Sequence, residues 1–368
     1  SHSLGAFHLA GKVFEIVFKD FEWKDKEERQ KFRFLLRLSA LLHDIGHGPL
    51  SHAIEQAMPS KKEVLGGEGQ ASHEDYTEAI ILKSSLANRI SSVFGKDFPT
   101  AIVSLIRHDN RMPEFFNAGS SQRVSLFPIL SSLISGEIDV DRMDYMVRDS
   151  LYCGIPYGQF DREWILSNLL YLERDKELHL ALDSRAVYAF EDFLLSRYHM
   201  YLMVYLHHKS VIYDEMLYQF LLTDEAKTRL PASVDEYLHV DDFWLYSRLR
   251  SSQNPWAKRI VNQQPFKMLL EVHADKSQES KSYANELEQK LKAQNIPYFR
   301  SSVSGLMSKY AGNSDKSGNI YVIYRDTRFA SSHQPGVQIE PLSQATELFE
   351  RYKNKRIIDR IFAERAPS

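Results

Sequence analysis

Residues 43–52 have the sequence HDIGHGPLSH, which places three histidines, one aspartate, two glycines and a proline within ten positions. The preceding run, residues 32–42 (FRFLLRLSALL), is nearly all apolar at helical spacing, which predicts a buried helix. The glycines then permit a sharp turn, and Pro49 suits the first turn of a new helix that runs to about Ala57. The sequence therefore predicts a cluster of polar side chains at the junction of two helices.

The residue types at this junction suit metal and proton chemistry. The adjacent His43 and Asp44 can bind one cation through an imidazole nitrogen and a carboxylate oxygen. His52 and Glu55 are three positions apart and share a helix face, where the carboxylate can orient the imidazole for general acid or base catalysis. A second His-Asp pair at 108–109 lacks the glycines and the further histidines, so we expect it to be structural.

The composition narrows the class of protein. The 368 residues are 43% apolar and 26% charged, which is ordinary for a globular chain. The chain has 46 basic and 49 acidic residues, and the resulting net charge of −3 argues against a constitutive nucleic-acid or membrane-surface binder. The single cysteine, Cys153, cannot form an intrachain disulfide, so we expect a reducing compartment, the cytoplasm. No apolar run approaches the roughly 20 residues of a membrane helix.

Helical spacing dominates the first two-thirds of the chain, whereas strand patterns appear later. Residues 228–264 are mixed in composition, which is typical of a connecting segment with short helices. Beyond them the patterns predict strands at 266–272, 298–306 and 320–324, a helix at 283–293, a loop at 312–319, a last helix from Leu342 with Ser343 as its N-cap, and either helix or strand at 356–363. The predicted organisation is a helical domain at 1–227, a connecting helical segment at 228–264 and a small α+β domain at 265–368.

The stretch at 43–52 resembles the HD-domain phosphohydrolase superfamily, and most closely its deoxynucleoside triphosphate triphosphohydrolase branch of dGTPase-like and SAM-HD-like enzymes. Three further segments share the resemblance, which spans about residues 1–225: residues 2–10 (HSLGAFHLA), 138–149 (IDVDRMDYMVRD) and 197–209 (RYHMYLMVYLHHK). It implies a mainly α fold, an HD-domain helical bundle. The strand and helix patterns beyond residue 264 add a small C-terminal α+β domain, for which we expect a role in oligomerisation or regulation.

Carried over position by position, the resemblance implies a metal site formed by His2, His43, Asp44 and Asp141. Two imidazoles and two carboxylates suit one divalent cation, which would be Mn, Fe, Zn, Co or Ni and less readily Mg. The sequence does not choose among these metals.

The resemblance also implies a second set of catalytic residues. His47 and His73 would contact phosphate, and His52, oriented by Glu55, would protonate the leaving group. Any of these imidazoles is chemically able to shuttle a proton.

The segment at 138–149 can be examined by its helical spacing. If it is helical, Asp141, Tyr145 and Asp149 lie one above another, and Arg142 flanks this stripe. One face would then present a metal ligand, a phosphate-binding cation and a Tyr/Asp pair facing the sugar. Arg197 begins an aromatic-rich helix from which it can also reach phosphate.

The alternative interpretation is that the polar residues of this segment have a purely structural role. Asp139 would cap the helix, and Asp144 and Arg148 would form a surface ion pair at i and i+4. The two interpretations are compatible.

The resemblance implies hydrolysis of dNTPs to deoxynucleoside and tripolyphosphate, by attack of metal-activated water at the α-phosphorus. The expected partners are the dNTP substrate, a nucleotide effector and further copies of the chain in a dimer or tetramer. A membrane is not expected, and nucleic acid is disfavoured. Two alternatives stay open: an HD-type phosphatase or phosphodiesterase acting on another nucleotide, and a non-catalytic regulator that senses nucleotides or binds nucleic acid.

Overall fold

The computed structural model describes residues 1–223, 230–273, 278–305, 320–325, 337–348 and 356–367. Within these ranges the α-helices are α1 His2–Val17, α2 Lys26–Leu42, α3 Lys61–Val64, α4 His73–Lys83, α5 Ser85–Phe94, α6 Phe98–Arg107, α7 Phe127–Ser135, α8 Val140–Cys153, α9 Arg162–Ser167, α10 Val187–Met200, α11 His208–Leu221, α12 Val234–Tyr237, α13 Asp242–Ser251, α14 Pro255–Val261, α15 Gln278–Ala293 and α16 Leu342–Ala345. Ser51–Ala57, Pro113–Phe116 and Ser184–Ala186 are 3₁₀ helices, and Tyr201–Tyr205 is a π-helical turn.

The strands are short and fall into two sheets. They are β1 Asn117–Ala118, β2 Val124–Ser125, β3 Leu169–Arg174, β4 Glu177–Asp183, β5 Lys267–His273, β6 Tyr298–Gly305, β7 Tyr321–Arg325, β8 Val337–Pro341 and β9 Arg356–Ala363. The mainly α fold with a smaller strand-containing C-terminal region, predicted from the sequence, is confirmed.

By internal contacts the chain divides into two compact units. The first unit comprises residues 1–46, 77–200 and 307–353, and the second comprises 47–76, 201–306 and 354–368. The predicted ranges 1–227, 228–264 and 265–368 were continuous, whereas these units are each built from three separate pieces of chain. Contacts between segments that are distant in the chain leave no periodic pattern in the sequence, so sequence patterns could not indicate these units. The three continuous domain ranges stay a prediction.

Helix α2 illustrates how the sequence builds the first unit. Asp25 caps its N-terminus by accepting a hydrogen bond from the Glu28 amide at 2.7 Å. Its apolar stripe, including Phe32 and Leu36, is fully buried in a core shared with α1, α6, α7 and α8. As the periodicity predicted, the helix ends at Leu42, which places the His-Asp pair at its C-terminus.

The first unit also contains a mixed sheet. Its strand order is β1-β2-β4-β7-β8, and β3 pairs with β4. β3 and β4 form an antiparallel hairpin, whereas β7 runs parallel to β4 with Ala181 opposite Tyr321. β8 then pairs antiparallel with β7.

The second unit contains an antiparallel sheet in the order β5-β9-β6. The segment at 356–363, which the sequence left open as helix or strand, is its central strand, with Ile361 and Ala363 buried against α15. The helix predicted from Leu342 is a four-residue helix in the first unit with Pro341 at its N-cap position, so the prediction of Ser343 as N-cap is wrong. Residue 306 and the loop predicted at 312–319 lie outside the described residues.

Candidate metal and proton-transfer sites

The C-terminus of α2 fixes the orientation of His43. The His43 Nδ1 donates a hydrogen bond to the Ala40 carbonyl at 2.9 Å, which leaves Nε2 available to a metal ion. Thr77 holds the turn that follows, because its hydroxyl accepts from the Gly46 amide at 3.0 Å and donates to the His43 carbonyl at 3.2 Å. No pattern in the sequence indicated this role for Thr77.

Three side chains converge on His43, as the resemblance implied: His2 from α1, Asp141 from α8 and Asp44 from the turn after α2. His2 Nε2 lies 3.0 Å from Asp141 Oδ1 and 3.6 Å from Asp44 Oδ2. His43 Nε2 lies 3.2 Å from Asp44 Oδ2 and 3.4 Å from Asp141 Oδ1. One ligand atom from each of the four side chains therefore lies within 4.8 Å of the others. We call these four residues the metal-ligand set.

Asp144 is a part of this site that the sequence did not identify. It forms the predicted pair with Arg148, at 2.7 and 2.9 Å, but it is only 6% exposed and is not a surface residue. Its Oδ2 accepts a hydrogen bond from His2 Nδ1 at 2.8 Å, which directs Nε2 toward Asp141. A carboxylate behind a ligating imidazole fixes its tautomer and raises its basicity. The available signal was its position, one helical turn from Asp141 on α8.

Gly5 makes this contact possible. It lies on α1 one turn after His2, and a Cβ at this position would overlap the Asp144 carboxylate and press on Arg148. Only a residue without a side chain lets α1 approach α8 this closely.

The carboxylates create a strongly negative environment. Burial opposes a positive charge on His2, yet Asp141 and Asp144 raise its pKa to about 9. Burial likewise opposes a charge on His43, but the same Asp141 together with Asp44 raises its pKa to about 10. Burial opposes ionisation of Asp141, and the two imidazoles nevertheless hold its pKa at about 2. A site that attracts protons this strongly also favours a cation.

The metal-ligand set fits a divalent cation. Its two imidazoles and two carboxylates are the donors that Mn, Fe, Zn, Co and Ni accept. The His43 Nε2 atom is buried and makes no hydrogen bond to any residue within the described ranges, so a coordinate bond would satisfy it. Both histidines are fixed by hydrogen bonds at their other ring nitrogens.

The predicted catalytic residues form a second group, which we call the proton-transfer set: His47, His52, Glu55 and His73. His52 and Glu55 lie on the 3₁₀ helix Ser51–Ala57, and His73 begins α4. Glu55 Oε1 accepts from His52 Nδ1 at 3.1 Å and also bonds His73 Nδ1. The prediction of a helix starting at Pro49 is wrong, because Leu50 and Ser51 have left-handed φ values of 55° and 52° and the helix starts after this turn.

The proton-transfer set differs from the metal-ligand set in how its imidazole rings are oriented. The His47 and His73 rings are stacked, with centroids 4.1 Å apart and planes 10° from parallel. Imidazole lone pairs lie in the ring plane, so those of stacked rings do not converge on one ion. His2 and His43 are instead nearly perpendicular, at 75°. The second set is therefore better arranged to present N–H groups than to chelate a metal.

Protonation of this set is controlled locally. Burial and the nearby His47 lower the pKa of His73 in spite of Glu55. Burial opposes the charge on Glu55, yet hydrogen bonds with His73 and His52 hold its pKa below its usual range. The set thus combines an ionised carboxylate with a neutral His73 near pH 7. The His52 side chain is 72% exposed, which leaves its Nε2 open to solvent or substrate.

The predicted substrate residues differ in their surroundings. The Tyr145 ring lies 6.5 Å from the His2 ring, beside the metal-ligand set. Arg142 is buried and donates to the Gly136 carbonyl, and its guanidinium lies near Glu137 and Asp139. Contacts within the protein therefore already use part of the hydrogen-bonding capacity of the Arg142 guanidinium.

Arg197 is buried and lies in the last turn of α10, so the prediction that it begins a helix is wrong. Its Nη1 donates to Glu137 Oε1 at 3.2 Å, so Glu137 lies between two arginines. Asp149 lies one turn from Tyr145 on α8, as the spacing predicted. Contacts of these four residues with a substrate stay predictions.

The comparison pair at 108–109 has structural contacts. His108 Nε2 donates to the Ser135 carbonyl at 3.0 Å, and Asp109 pairs with Arg111 at 2.8 Å. In the described part of the chain, no helix combines the length and the apolar character required to cross a bilayer.

Two family models match the chain in succession. The HD domain model matches residues 1–148, and the HD-associated region model matches residues 160–296. Residues 149–159 separate the two matches and include the C-terminus of α8, the helix that carries Asp141.

Curated relatives and solved structures agree with these matches. The uncharacterized Bacillus subtilis protein YwfO is 34% identical over 208 residues, which are 56% of this chain and 40% of YwfO. A Dictyostelium discoideum protein, named deoxynucleoside triphosphate triphosphohydrolase SAMHD1 homolog, is 26% identical over 284 residues, 74% of this chain and 50% of that protein. The crystal structure of a hypothetical protein from Aquifex aeolicus has a TM-score of 0.70 at 24% identity and covers 99% of this chain and 82% of that one, which shows a shared fold.

The chain spans about half or less of the length of these curated relatives. It nevertheless contains both matched regions and the full metal-ligand set within the first of them. The chain thus contains a region, residues 1–148, that matches the HD domain, and the His-Asp pair within it is His43-Asp44.

Proposed function

We propose that the chain hydrolyses dNTPs to deoxynucleoside and tripolyphosphate, through attack of water at the α-phosphorus. The observation that carries this proposal is the convergence of His2, His43, Asp44 and Asp141. The triphosphohydrolase named among the relatives supports the choice of substrate class.

The metal-ligand set would hold one divalent cation. Such a cation supplies Lewis acidity toward a phosphate oxygen and lowers the pKa of water. The protein's own contribution is orientation, because the Ala40 carbonyl and Asp144 fix the two imidazoles before any ligand binds. Asp44 and Asp141 are each about a third exposed, so the set is accessible from solvent.

The proton-transfer set would serve the leaving group. Glu55 accepts from His52 Nδ1 and so directs Nε2 outward, where a protonated imidazole donates to the departing ester oxygen. His73 donates its Nδ1–H to the same carboxylate, so in the neutral form that burial favours Nε2 carries only a lone pair, and the predicted contact with a phosphate oxygen would require the protonated ring. His47 stacks on His73 and would contact the same group.

Tyr145 is our candidate for the sugar contact. It lies on α8 one turn beyond Asp141, and its ring faces His2. We assign Asp149, Arg197 and Arg142 supporting roles at the same site. The two arginines would act mainly by keeping Glu137 and the start of α8 in place, because both guanidinium groups already contact the Glu137 carboxylate.

A product assay tests this proposal. The purified chain, loaded with Mn²⁺ or Mg²⁺, is incubated with each dNTP singly and in mixtures, and nucleoside, mono- and diphosphate are separated by chromatography. Deoxynucleoside with tripolyphosphate is the expected result, and turnover only in mixtures would add the predicted effector. An Asp44→Ala variant should lose the activity, which excludes a contaminating phosphatase.

Other outcomes separate the alternatives. Mono- or diphosphate products would overturn the triphosphohydrolase assignment and favour a different HD phosphatase. Nucleotide binding without turnover by the metal-loaded chain would favour a sensor. The oligomeric state, predicted to be a dimer or tetramer, is measured in the same samples by light scattering.

A further inference from the structure

The turn that enters the 3₁₀ helix of the proton-transfer set has an unusual backbone. Leu50 and Ser51 are consecutive non-glycine residues with positive φ, a conformation that L-residues rarely adopt. Leu50 is 55% exposed, so burial of its side chain does not explain the turn. Strained backbone of this kind persists only where the surroundings determine it.

A hydrogen bond from a distant helix holds this turn. The Leu50 amide donates to Asp242 Oδ1 at 2.9 Å, although the two residues are 192 positions apart. Asp242 begins α13, but the N-cap of that helix is its neighbour Asp241, which accepts from the Trp244 amide at 2.8 Å. The carboxylate of Asp242 therefore bonds the turn, while the helix cap is formed by another residue.

Residues 230–237 contact the segments that carry the proton-transfer set. The Leu230 amide donates to the Ala57 carbonyl at 3.1 Å, at the end of the 3₁₀ helix. Tyr237 is buried and stacks on Tyr76, with ring centroids 3.7 Å apart and planes 17° from parallel. Tyr76 lies one turn after His73 on α4 and donates its hydroxyl to the Pro231 carbonyl at 2.7 Å.

Tyr237 also contacts the other side of the set. A Cβ at Gly48 would lie 3.0 Å from the Tyr237 hydroxyl, so the chain passes closely over this ring next to His47. The ring thus contacts the segment that carries His47 and the helix that carries His73. All these residues belong to the second compact unit.

We propose that residues 230–242 are a positioning element for the proton-transfer set, with Asp242 and Tyr237 as its positioning residues. Asp242 fixes the turn from which His52 and Glu55 project, and Tyr237 sets the spacing between His47 and His73. The catalytic consequence rests on the proposed function, whereas the structural part does not. His52 is largely exposed and has Glu55 as its anchor, so the backbone turn decides where its Nε2 points.

The first experiment compares Asp242→Ala, Asp242→Asn and Asp241→Ala in the full chain. Asp242→Ala should lower kcat for the dNTP about tenfold with KM nearly unchanged, and should speed amide exchange in the peptide spanning residues 47–58. Asp242→Asn keeps an acceptor oxygen and should restore both readouts to within about threefold of wild type. Asp241→Ala removes the cap of α13 and should leave residues 47–58 unchanged.

A second pair of variants tests the aromatic contact. Tyr237→Phe keeps the stack and should retain more of the wild-type kcat than Tyr237→Leu, which should lower kcat and shift the acidic limb of the pH profile. Hydrogen exchange and kcat that stay at wild-type values in a folded Asp242→Ala chain would overturn the proposal. A loss in Asp241→Ala as large as that in Asp242→Ala would also overturn it. If the wild-type chain turns over no dNTP, the exchange measurement still decides whether residues 230–242 hold the turn.

Discussion

His2 and Asp144 are 142 residues apart in sequence, and the imidazole Nδ1 of His2 donates to the carboxylate of Asp144 at 2.8 Å. This contact joins the first turn of α1 to α8 and orients one of the four metal ligands. Asp144 would therefore act on a bound metal only through His2.

Replacement of Asp144 should weaken metal binding. We expect Asp144→Ala to raise the Kd for Mn²⁺ by about 10- to 100-fold, because outer carboxylates behind ligating histidines contribute this much. Calorimetric titration of the metal-free chain measures it. Arg148→Gln removes the ion pair but keeps the bond to His2 and should have a much smaller effect. Equal effects of the two variants would show that the ion pair matters and that the bond to His2 does not.

Gly5→Ala should reproduce the loss of Asp144. The added methyl group overlaps the carboxylate, so Asp144 must move away from His2. We expect a metal affinity as low as that of Asp144→Ala, and a loss of about 1–3 kcal/mol in the free energy of unfolding.

Gly11→Ala is the matched control for Gly5→Ala on the same helix. Its new Cβ would meet only the flexible Arg37 side chain, with the nearest atom at 3.1 Å. Metal affinity should therefore be retained. A Gly5→Ala chain that binds metal like wild type would argue against the close approach of α1 and α8.

His52→Ala should abolish turnover while nucleotide binding persists. Loss of a general acid lowers rates by about 10²- to 10⁴-fold. Single-turnover product formation and equilibrium dNTP binding are the two measurements. His8→Ala removes an exposed histidine of α1 outside both sets and serves as the control. A His52→Ala chain with undiminished turnover would assign the proton to another imidazole.

His73 should make stability depend on pH near neutrality. Its pKa is lowered from 6.5 by burial and by His47, so the unfolded chain binds its proton more readily than the folded chain. Its contribution is therefore complete above pH 6.5 and is lost as the pH falls below 6.5 toward the folded pKa. This one group changes the free energy of unfolding by at most about 1.4 kcal/mol per pH unit.

Denaturant unfolding in chelator between pH 5 and 7.5 measures this slope. His73→Gln should flatten it, and the NMR titration midpoint of His73 in the wild-type chain should lie below 6.5. A midpoint above 6.5 would contradict the effect of burial.

Local patterns predicted much of the site. The apolar stripe of α2, the two glycines and the i, i+3 spacing of His52 and Glu55 brought the right side chains to one short stretch, and the structure groups them as expected. The resemblance supplied His2 and Asp141, which no local pattern connects to His43.

The unpredicted features all depend on distant contacts. Asp144 had the spacing of a surface ion pair, and only the approach of α1 at Gly5 reveals its contact with His2. The turn at Leu50 is held by Asp242, so Pro49 alone indicated a helix start at the wrong residue. Arg142 is likewise buried, and its guanidinium lies near Glu137 and Asp139 at the start of α8. The helical spacing of Arg142 did not indicate this burial.

The sheet of the first unit is built from strands that are far apart in the chain, and this affects how the protein folds during its synthesis. Strand β4 pairs with β7, and β7 pairs with β8, which ends at Pro341. During translation, β4 therefore leaves the ribosome about 140 residues before its partner, and its edge stays unpaired until the partner emerges. At 5–20 residues per second this interval lasts roughly 7–28 seconds, during which the nascent chain is open to mispairing or to capture by a chaperone.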